Sequence, residues 1–370
     1  MAAGTLTTTG TLATNGTHLA TIDRPATRVL QATGGHMTTT RRFTTLVTED
    51  VSIAAAFVRE GECVAFPTET VYGLGADATL PGAVARIFEA KGRPGDNPLI
   101  VHVADVSLVE TVASNVPRVA QLILDRFAPG PVTVILPRGE RIAPQVSAGR
   151  DTVGIRIPAH ATARAFLLAC GVPVAAPSAN RSGRPSPTTW QAVQTDLDGR
   201  IPCILKGSRA RVGLESTVVD CTGSIPLVLR AGAITLEALR AVAPGVRMAG
   251  ADDPAAAHSP GTRHPHYAPH AEVRIVDRAV EARALEAWIV ERAVAPPTGL
   301  AWIGLGSAPA GYDMVSEHAD VASYAHALFD FFRRCDEAEM TRIDCRPVPR
   351  RGLGRALMDR IERGQQAPRP

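Results

Sequence analysis

Lysine is nearly missing from this chain. Of its 39 basic residues, 37 are arginine, and only Lys91 and Lys206 are lysine. Two retained lysines raise the question of what a compact ammonium does there that a planar guanidinium does not. Aromatic residues are scarce as well, at 4%, which leaves few platforms for stacking the bases of a single strand. There is no run of five or six basic residues, and the formal charge of +3 is spread thinly. A broad electrostatic footprint for nucleic acid is therefore absent, and direct nucleic-acid binding is expected to be weak or absent. No apolar run reaches the roughly 18 to 20 residues that span a bilayer, so the expectation is a soluble, cytoplasmic protein without membrane contact. The six cysteines, Cys63, Cys170, Cys203, Cys221, Cys335 and Cys345, never form a C-x-x-C pair. That spacing excludes a zinc ribbon or thioredoxin-type site and reads as buried, reduced thiols.

Several catalytic signatures are missing too. There is no G-x-x-x-x-G-K-[ST] phosphate loop and no G-x-S-x-G nucleophile elbow. The run GLGADA at residues 73–78 fits a loose dinucleotide fingerprint, but no acidic residue stands where a ribose would need one. His264, His266 and His270 are spread over a proline-rich stretch with no carboxylate or cysteine to complete a set, so no protein-bound metal site is expected.

What is present points to two domains, since 370 residues exceed what one ordinary core fills. Residues 1–42, with "TLTTTGTLATNGTH", are rich in Thr, Ala and Gly and read as a disordered tail, with Met37 an alternative start. Residues 43–248 alternate helical and strand patterns, the mark of an α/β sheet, with a mixed arrangement expected. "PGAVARIFEAKG" opens on Pro81 and stops at Gly92, which puts Lys91 in the last turn of a helix. In "TVGIRIP" the alternation sets Thr152 and Arg156 on one strand face, where both can address one cavity. Residues 249–270 carry prolines at 260, 265 and 269 and read as a semi-rigid linker. Residues 271–365 read as a small βαβ domain, with helices at 279–293, 319–339 and 353–362.

Two stretches concentrate hydrogen-bonding groups: "FPTETVYGLG" after a strand, and "APSANRSGRPSPTT" after "VPVA". Read alone, the first is equally a capped strand end and the second a surface turn. With "KGRPGDNP" they supply cations and neutral donors but almost no acid–base pair. That combination suits an anion-rich substrate such as a nucleoside triphosphate, for which catalysis is mostly positioning and charge neutralisation.

Taken in order, "PTETVYGLG", "KGRPGDNPLIVHV", "GIRIP", "PSANRSGRPSPT", "GLESTVVD" and "LRAG" resemble the YrdC-like family. The linker with "HYAP" and the small terminal domain resemble its long, two-domain members, the L-threonylcarbamoyladenylate synthases. The resemblance implies a twisted mixed-sheet α/β YrdC-like domain holding a deep positive cavity, with a second, smaller Rossmann-like α/β domain. It implies condensation of L-threonine, bicarbonate and ATP, with Mg2+ on the phosphates, into threonylcarbamoyl-AMP and pyrophosphate. Partner proteins would then transfer the threonylcarbamoyl group to adenosine 37 of tRNAs reading ANN codons. Carried over position by position, the family's catalytic signature falls on Lys91, Arg93, Ser178 and Asn180. Threonine binding falls on Thr70, His102, Arg156, Ser178 and Ser216, and ATP binding on Arg93, Asn97, Thr152, Asn180, Thr188, Arg230 and Tyr267. Lys206 in "LKGS" is an extra cation outside this pattern. Two rival readings remain: a non-catalytic RNA-binding YrdC-like module, which would call for more positive charge, and a carbamoyl-transferring maturation enzyme, which would carry zinc-finger cysteines.

Overall fold

Asp50 starts the first helix of the main domain by accepting hydrogen bonds from the Ser52 and Ile53 amides at 2.7 and 3.2 Å, and Val51–Arg59 follows. This is the side-chain capping that satisfies donors a helix start leaves open. The helix Pro81–Lys91 likewise opens on proline and ends at Gly92, whose φ of 61° is left-handed and whose amide closes back on the last turn. Proline in and glycine out is the asymmetry expected of helix ends. The computed structural model describes residues 7–8, 26–33, 36–250, 253, 268–277 and 299–366. Tyr267, most of the expected linker and the helix expected at 279–293 lie outside the described residues.

The main domain is built on an eleven-stranded sheet. From one edge the strands run Arg247–Met248, Leu227–Arg230, Thr217–Asp220, Val132–Pro137, Thr152–Arg156 and Ile100–His102. The order continues through Val174–Ala176, Gly73–Asp77, Val64–Phe66, Cys203–Leu205 and Leu46–Thr48. Pairing is mixed: Ile100–His102 runs parallel to Thr152–Arg156, while Val174–Ala176 is antiparallel to both its neighbours. Strand side chains alternate between faces. Val64 and Phe66 therefore join one apolar cluster with the helices Val51–Arg59 and Ala161–Cys170. Ala65 joins the opposite cluster with the helices Pro81–Lys91 and Arg118–Phe127. Helices thus cover both faces of the sheet, as a sheet with buried strands requires.

The run that loosely fits a dinucleotide fingerprint holds a fully buried strand, GLGAD at 73–77. A Cβ on Gly75 would stand 2.6 Å from Val174 Cγ1 and 2.8 Å from the Phe66 ring. Its glycines serve close packing rather than a turn. Within residues 1–42 the described stretches are strands. Ala26–Thr33 and His36–Arg42 pair antiparallel, with Thr7–Thr8 beside them, as a separate three-stranded sheet. Their threonines and valine are strand formers, a local preference that a count of polar residues does not register.

The second domain holds a four-stranded, wholly parallel sheet in the order Glu272–Ile275, Arg342–Cys345, Leu300–Leu305, Met314–His318. The helices Val321–Glu337 and Leu353–Gln366 pack on it. Their apolar cluster reaches beyond the domain, because Val71 and Leu214 of the main domain are members of it.

Candidate active site

Strand ends and loops of the main domain line a partly open cavity whose empty space, open solvent included, is about 740 Å3. Nine of the residues expected from sequence line it: Thr70, Lys91, Arg93, His102, Arg156, Ser178, Asn180, Ser216 and Arg230. They come from seven separate stretches of chain, so only the fold brings them together. Asn97, Thr152 and Thr188 are not among the lining residues. Asn97 and Thr188 are buried. Asn97 offers its carbonyl to Arg93 Nη2 at 3.4 Å, and the Thr188 carbonyl accepts from the Ala210 amide at 2.9 Å. Thr152 shares a strand face with Arg156, but it starts the strand that Arg156 ends. Four residues along a strand are about 13 Å, and the cavity takes in only the Arg156 end.

Lys91 is buried and ties the end of its helix to the loop around Ser178–Ser182. Its Nζ donates to the Ser178 carbonyl at 2.5 Å, to the Asn180 carbonyl, and toward Asn180 Oδ1 at 3.4 Å. Its own carbonyl accepts from the Ser182 amide at 2.9 Å. Three acceptor oxygens around one nitrogen match the three donors of an ammonium, which a planar fork would not fit. Burial, with Arg93 beside it, holds the Lys91 ammonium well below the ordinary lysine range, so an anion arriving here relieves an existing cost. Ser178 Oγ donates to Asn180 Oδ1 at 2.5 Å, and Asn180 Nδ2 donates to the Arg181 and Arg184 carbonyls at 2.7 and 2.8 Å.

Arg156 ends its strand buried against Glu69, with Nη2 to Oε1 at 2.8 Å. Glu69 Oε2 accepts from the Ala159 amide at 3.1 Å. The carboxylate therefore fixes one prong of the guanidinium. Arg156 Nε is buried without a hydrogen-bond partner among the described residues, a donor that a ligand acceptor would satisfy. His102 lies alongside, its Nδ1 3.2 Å from the Ile100 carbonyl. Burial and the Arg156 charge push its pKa down to about 3, so it is a neutral imidazole that hydrogen-bonds without adding charge. On the far wall Arg230 donates to the Ser216 carbonyl through Nε at 3.1 Å and Nη2 at 3.0 Å, and to Ser216 Oγ at 3.1 Å. Ser216 Oγ also meets buried Thr133 Oγ1 at 2.8 Å.

The lining set contains four cations, Lys91, Arg93, Arg156 and Arg230, against one carboxylate, Glu215. Glu215 is occupied by Ser186 Oγ at 2.6 Å and Arg360 Nε at 2.8 Å. The cavity is therefore electropositive, and in a desolvated setting such charge acts strongly on phosphates. No group of three or more His, Cys, Asp or Glu able to hold a metal occurs among the described residues. No helix among them is long and apolar enough to cross a membrane. Glu69, Tyr72 and Glu215 were not picked out from sequence, although all three stand inside the quoted motifs. The Tyr72 phenol donates to the Gly207 carbonyl at 2.9 Å and accepts from the Gly207 amide at 3.1 Å. Burial pushes that phenol up to about 12.

Comparison with known proteins agrees with this layout. Residues 56–232 match a family model described as "Telomere recombination", and residues 234–364 match one described as "Threonylcarbamoyl-AMP synthase, C-terminal domain". The threonylcarbamoyl-AMP synthase of Pyrococcus abyssi is 42% identical over 320 residues, covering 85% of this chain and 93% of that protein. The one from Bacillus subtilis is 42% identical over 340 residues, covering 87% and 96%. The crystal structure of P. abyssi Sua5 complexed with L-threonine superposes with a TM-score of 0.79 at 41% identity, covering 85% of this chain and 94% of that one. With both domains matched and both relatives spanned almost end to end, this chain belongs to the threonylcarbamoyl-AMP synthase family.

Proposed function

We propose that this protein makes threonylcarbamoyl-AMP from L-threonine, bicarbonate and ATP, releasing pyrophosphate. The observation that carries the reading is the convergence of three buried cations, half-buried Arg93 and several neutral donors on a cavity with a single, already paired carboxylate. Such a site binds and orients anions; it has no spare acid–base pair for hydrolytic chemistry. Threonine's amine combines with bicarbonate, losing water, to give a carbamate. One carbamate oxygen then forms a bond to the α-phosphorus, and the bond from that phosphorus to the bridging oxygen of pyrophosphate breaks.

The roles proposed are those the family resemblance implies, and the geometry supports several of them. Arg156, braced by Glu69, faces the threonine carboxylate with its remaining donors. Neutral His102, Thr70, Ser178 and Ser216 hydrogen-bond the amino acid. Lys91, Arg93 and Asn180 meet the phosphates and carbamate, and Arg230 holds Ser216 in place while adding positive charge toward ATP. Asn97, Thr152, Thr188 and Tyr267 complete the ATP side in this proposal. Mg2+ enters on the ATP phosphates as part of the substrate. Alignment of the bound reactants supplies up to roughly 7 to 11 kcal/mol of the barrier. The carbamate is itself the nucleophile, so no stronger base is required.

The product is a mixed anhydride, activated for passage to threonylcarbamoyl-transfer proteins acting on adenosine 37 of tRNA. The six free, buried cysteines favour a reducing, cytoplasmic setting. Pyrophosphate release measured with each substrate omitted in turn tests the reading. Release is expected only when ATP, threonine and bicarbonate are all present; release that continues without threonine overturns it.

A further inference from the structure

The second domain reaches the cavity wall directly. Arg360, on the helix Leu353–Gln366, has a fully buried side chain. Its Nε donates to Glu215 Oε2 at 2.8 Å, its Nη2 to the Ala231 carbonyl at 3.0 Å, and its Nη1 to its neighbour Asp359. Glu215 immediately precedes Ser216, and Ala231 immediately follows Arg230. The strands that these pairs adjoin, Thr217–Asp220 and Leu227–Arg230, are neighbours, with Val218 opposite Arg230. Arg360 therefore grips both sides of one corner of the cavity: the residue before the hydroxyl and the residue after the guanidinium that binds it.

Three further features press the second domain on the same corner. Leu214, one residue before Glu215, is buried in the second domain's apolar cluster. So is Val71, which stands between the cavity-lining residues Thr70 and Tyr72. Gly213 has φ of +80°, and a Cβ there would lie 2.6 Å from the His326 backbone. At this point the two backbones nearly touch, and only glycine permits both the conformation and the approach. A second buried arginine, Arg333, crosses the boundary elsewhere, to Asp196 at 2.7 and 3.3 Å and to the Pro185 carbonyl. Asp196 in turn takes Arg184 and the Arg181 amide, on the Asn180 side of the cavity.

We infer that Arg360 is a positioning residue for the threonine end of the site, acting through Glu215 to hold Ser216, so that the second domain contributes to amino-acid binding without touching the amino acid. The inference rests on the assignment of Ser216 to threonine made above. A small displacement of a binding group has a large effect on affinity when the reacting geometry is tight. Removing Arg360 would leave the buried Glu215 carboxylate without its cation beside Ser216 and allow it to move or to repel the threonine carboxylate.

The test is steady-state pyrophosphate release by full-length Arg360→Met, Arg360→Lys, Glu215→Gln and Arg333→Met proteins. Arg360→Met is expected to raise KM for threonine about tenfold or more while KM for ATP stays within about threefold, with partial recovery in Arg360→Lys. Glu215→Gln keeps the shape and the Ser186 contact but loses the charge pair. It is expected to raise the same KM, and it stands in should Arg360→Met fail to fold. Arg333→Met removes a second buried boundary arginine and is expected to leave the threonine KM within about threefold of wild type. Equal threonine effects in the Arg360 and Arg333 variants would mean general undocking and overturn the inference. A wild-type threonine KM in both the Arg360→Met and Glu215→Gln proteins would overturn it while leaving the proposed function intact. A wild-type enzyme that releases pyrophosphate without threonine overturns the proposed function and the inference together.

Discussion

Lys91 shows how much a single nitrogen can be asked to do. Its ammonium is surrounded by two carbonyls and an amide oxygen of the Ser178–Asn180 loop. Arginine would bring the same charge in a larger, planar group, so Lys91→Arg overpacks a buried position at a cost of about 1 to 3 kcal/mol. We expect that variant to lose at least about tenfold in turnover with a lower melting temperature, read by pyrophosphate release and thermal unfolding. Wild-type turnover would show that charge alone matters. His102 makes the pH prediction. The unfolded chain takes up a proton near its ordinary value of 6.5, whereas the fold resists protonation down to about 3. Its contribution to stability is complete above pH 6.5 and is lost as pH falls from there toward 3, at up to about 1.4 kcal/mol per pH unit. Urea midpoints across that range should fall less steeply in His102→Gln than in wild type. Most of the cavity was legible in the sequence because its side chains stand in contiguous motifs. Arg360 and Arg333 were not: nothing in local spacing separates a buried arginine from the other 35 in the chain, since burial depends on what the distant Glu215 and Asp196 require.

At the scale of elements, helix ends were readable because caps are local chemistry, as Pro81 and Gly92 demonstrate. The strand Gly73–Asp77 was hidden, because its glycines answer to the Phe66 ring and to Val174, a hundred residues away in sequence. The same logic gives Gly232, in the motif "LRAG", a defined task. A Cβ there would stand 2.3 Å from the Thr217 nitrogen, 2.5 Å from the Ser216 carbonyl carbon and 2.7 Å from the Glu215 carbonyl oxygen. All three are backbone atoms and none can yield cheaply. Gly232→Ala is therefore expected to destabilise the protein by about 1 to 3 kcal/mol and to raise the threonine KM, through the displaced Ser216. Gly82→Ala, in the first turn of the helix Pro81–Lys91, would meet nothing within 4 Å. It is expected to keep wild-type kinetics and gain at most about 1 kcal/mol of stability. Parallel denaturation curves and threonine titrations of the two variants check the pair.

For the molecule as a whole, the boundary between the domains behaves as interior. Buried arginines cross it, and an apolar cluster takes members from both sides. The composition shift in the linker is visible in the sequence, but a docked interface is a property of surfaces that exist only once both domains have folded. The cysteines turn this into something measurable. All six are buried and free, four of them in the main domain and two, Cys335 and Cys345, in the second. Burial raises the main-domain thiols and Cys335 to about 12, and holds the Cys345 thiol well above its ordinary range. A buried thiol with so little thiolate reacts only when its surroundings open. Pulsed alkylation followed by mass spectrometry would then count openings domain by domain. With the boundary intact, all six sites should acquire label in one concerted phase; with Arg360 replaced by methionine, Cys335 and Cys345 should run ahead of the other four. The chain thus carries six native clocks, distributed so that their synchrony reports whether two folded bodies unfold as one.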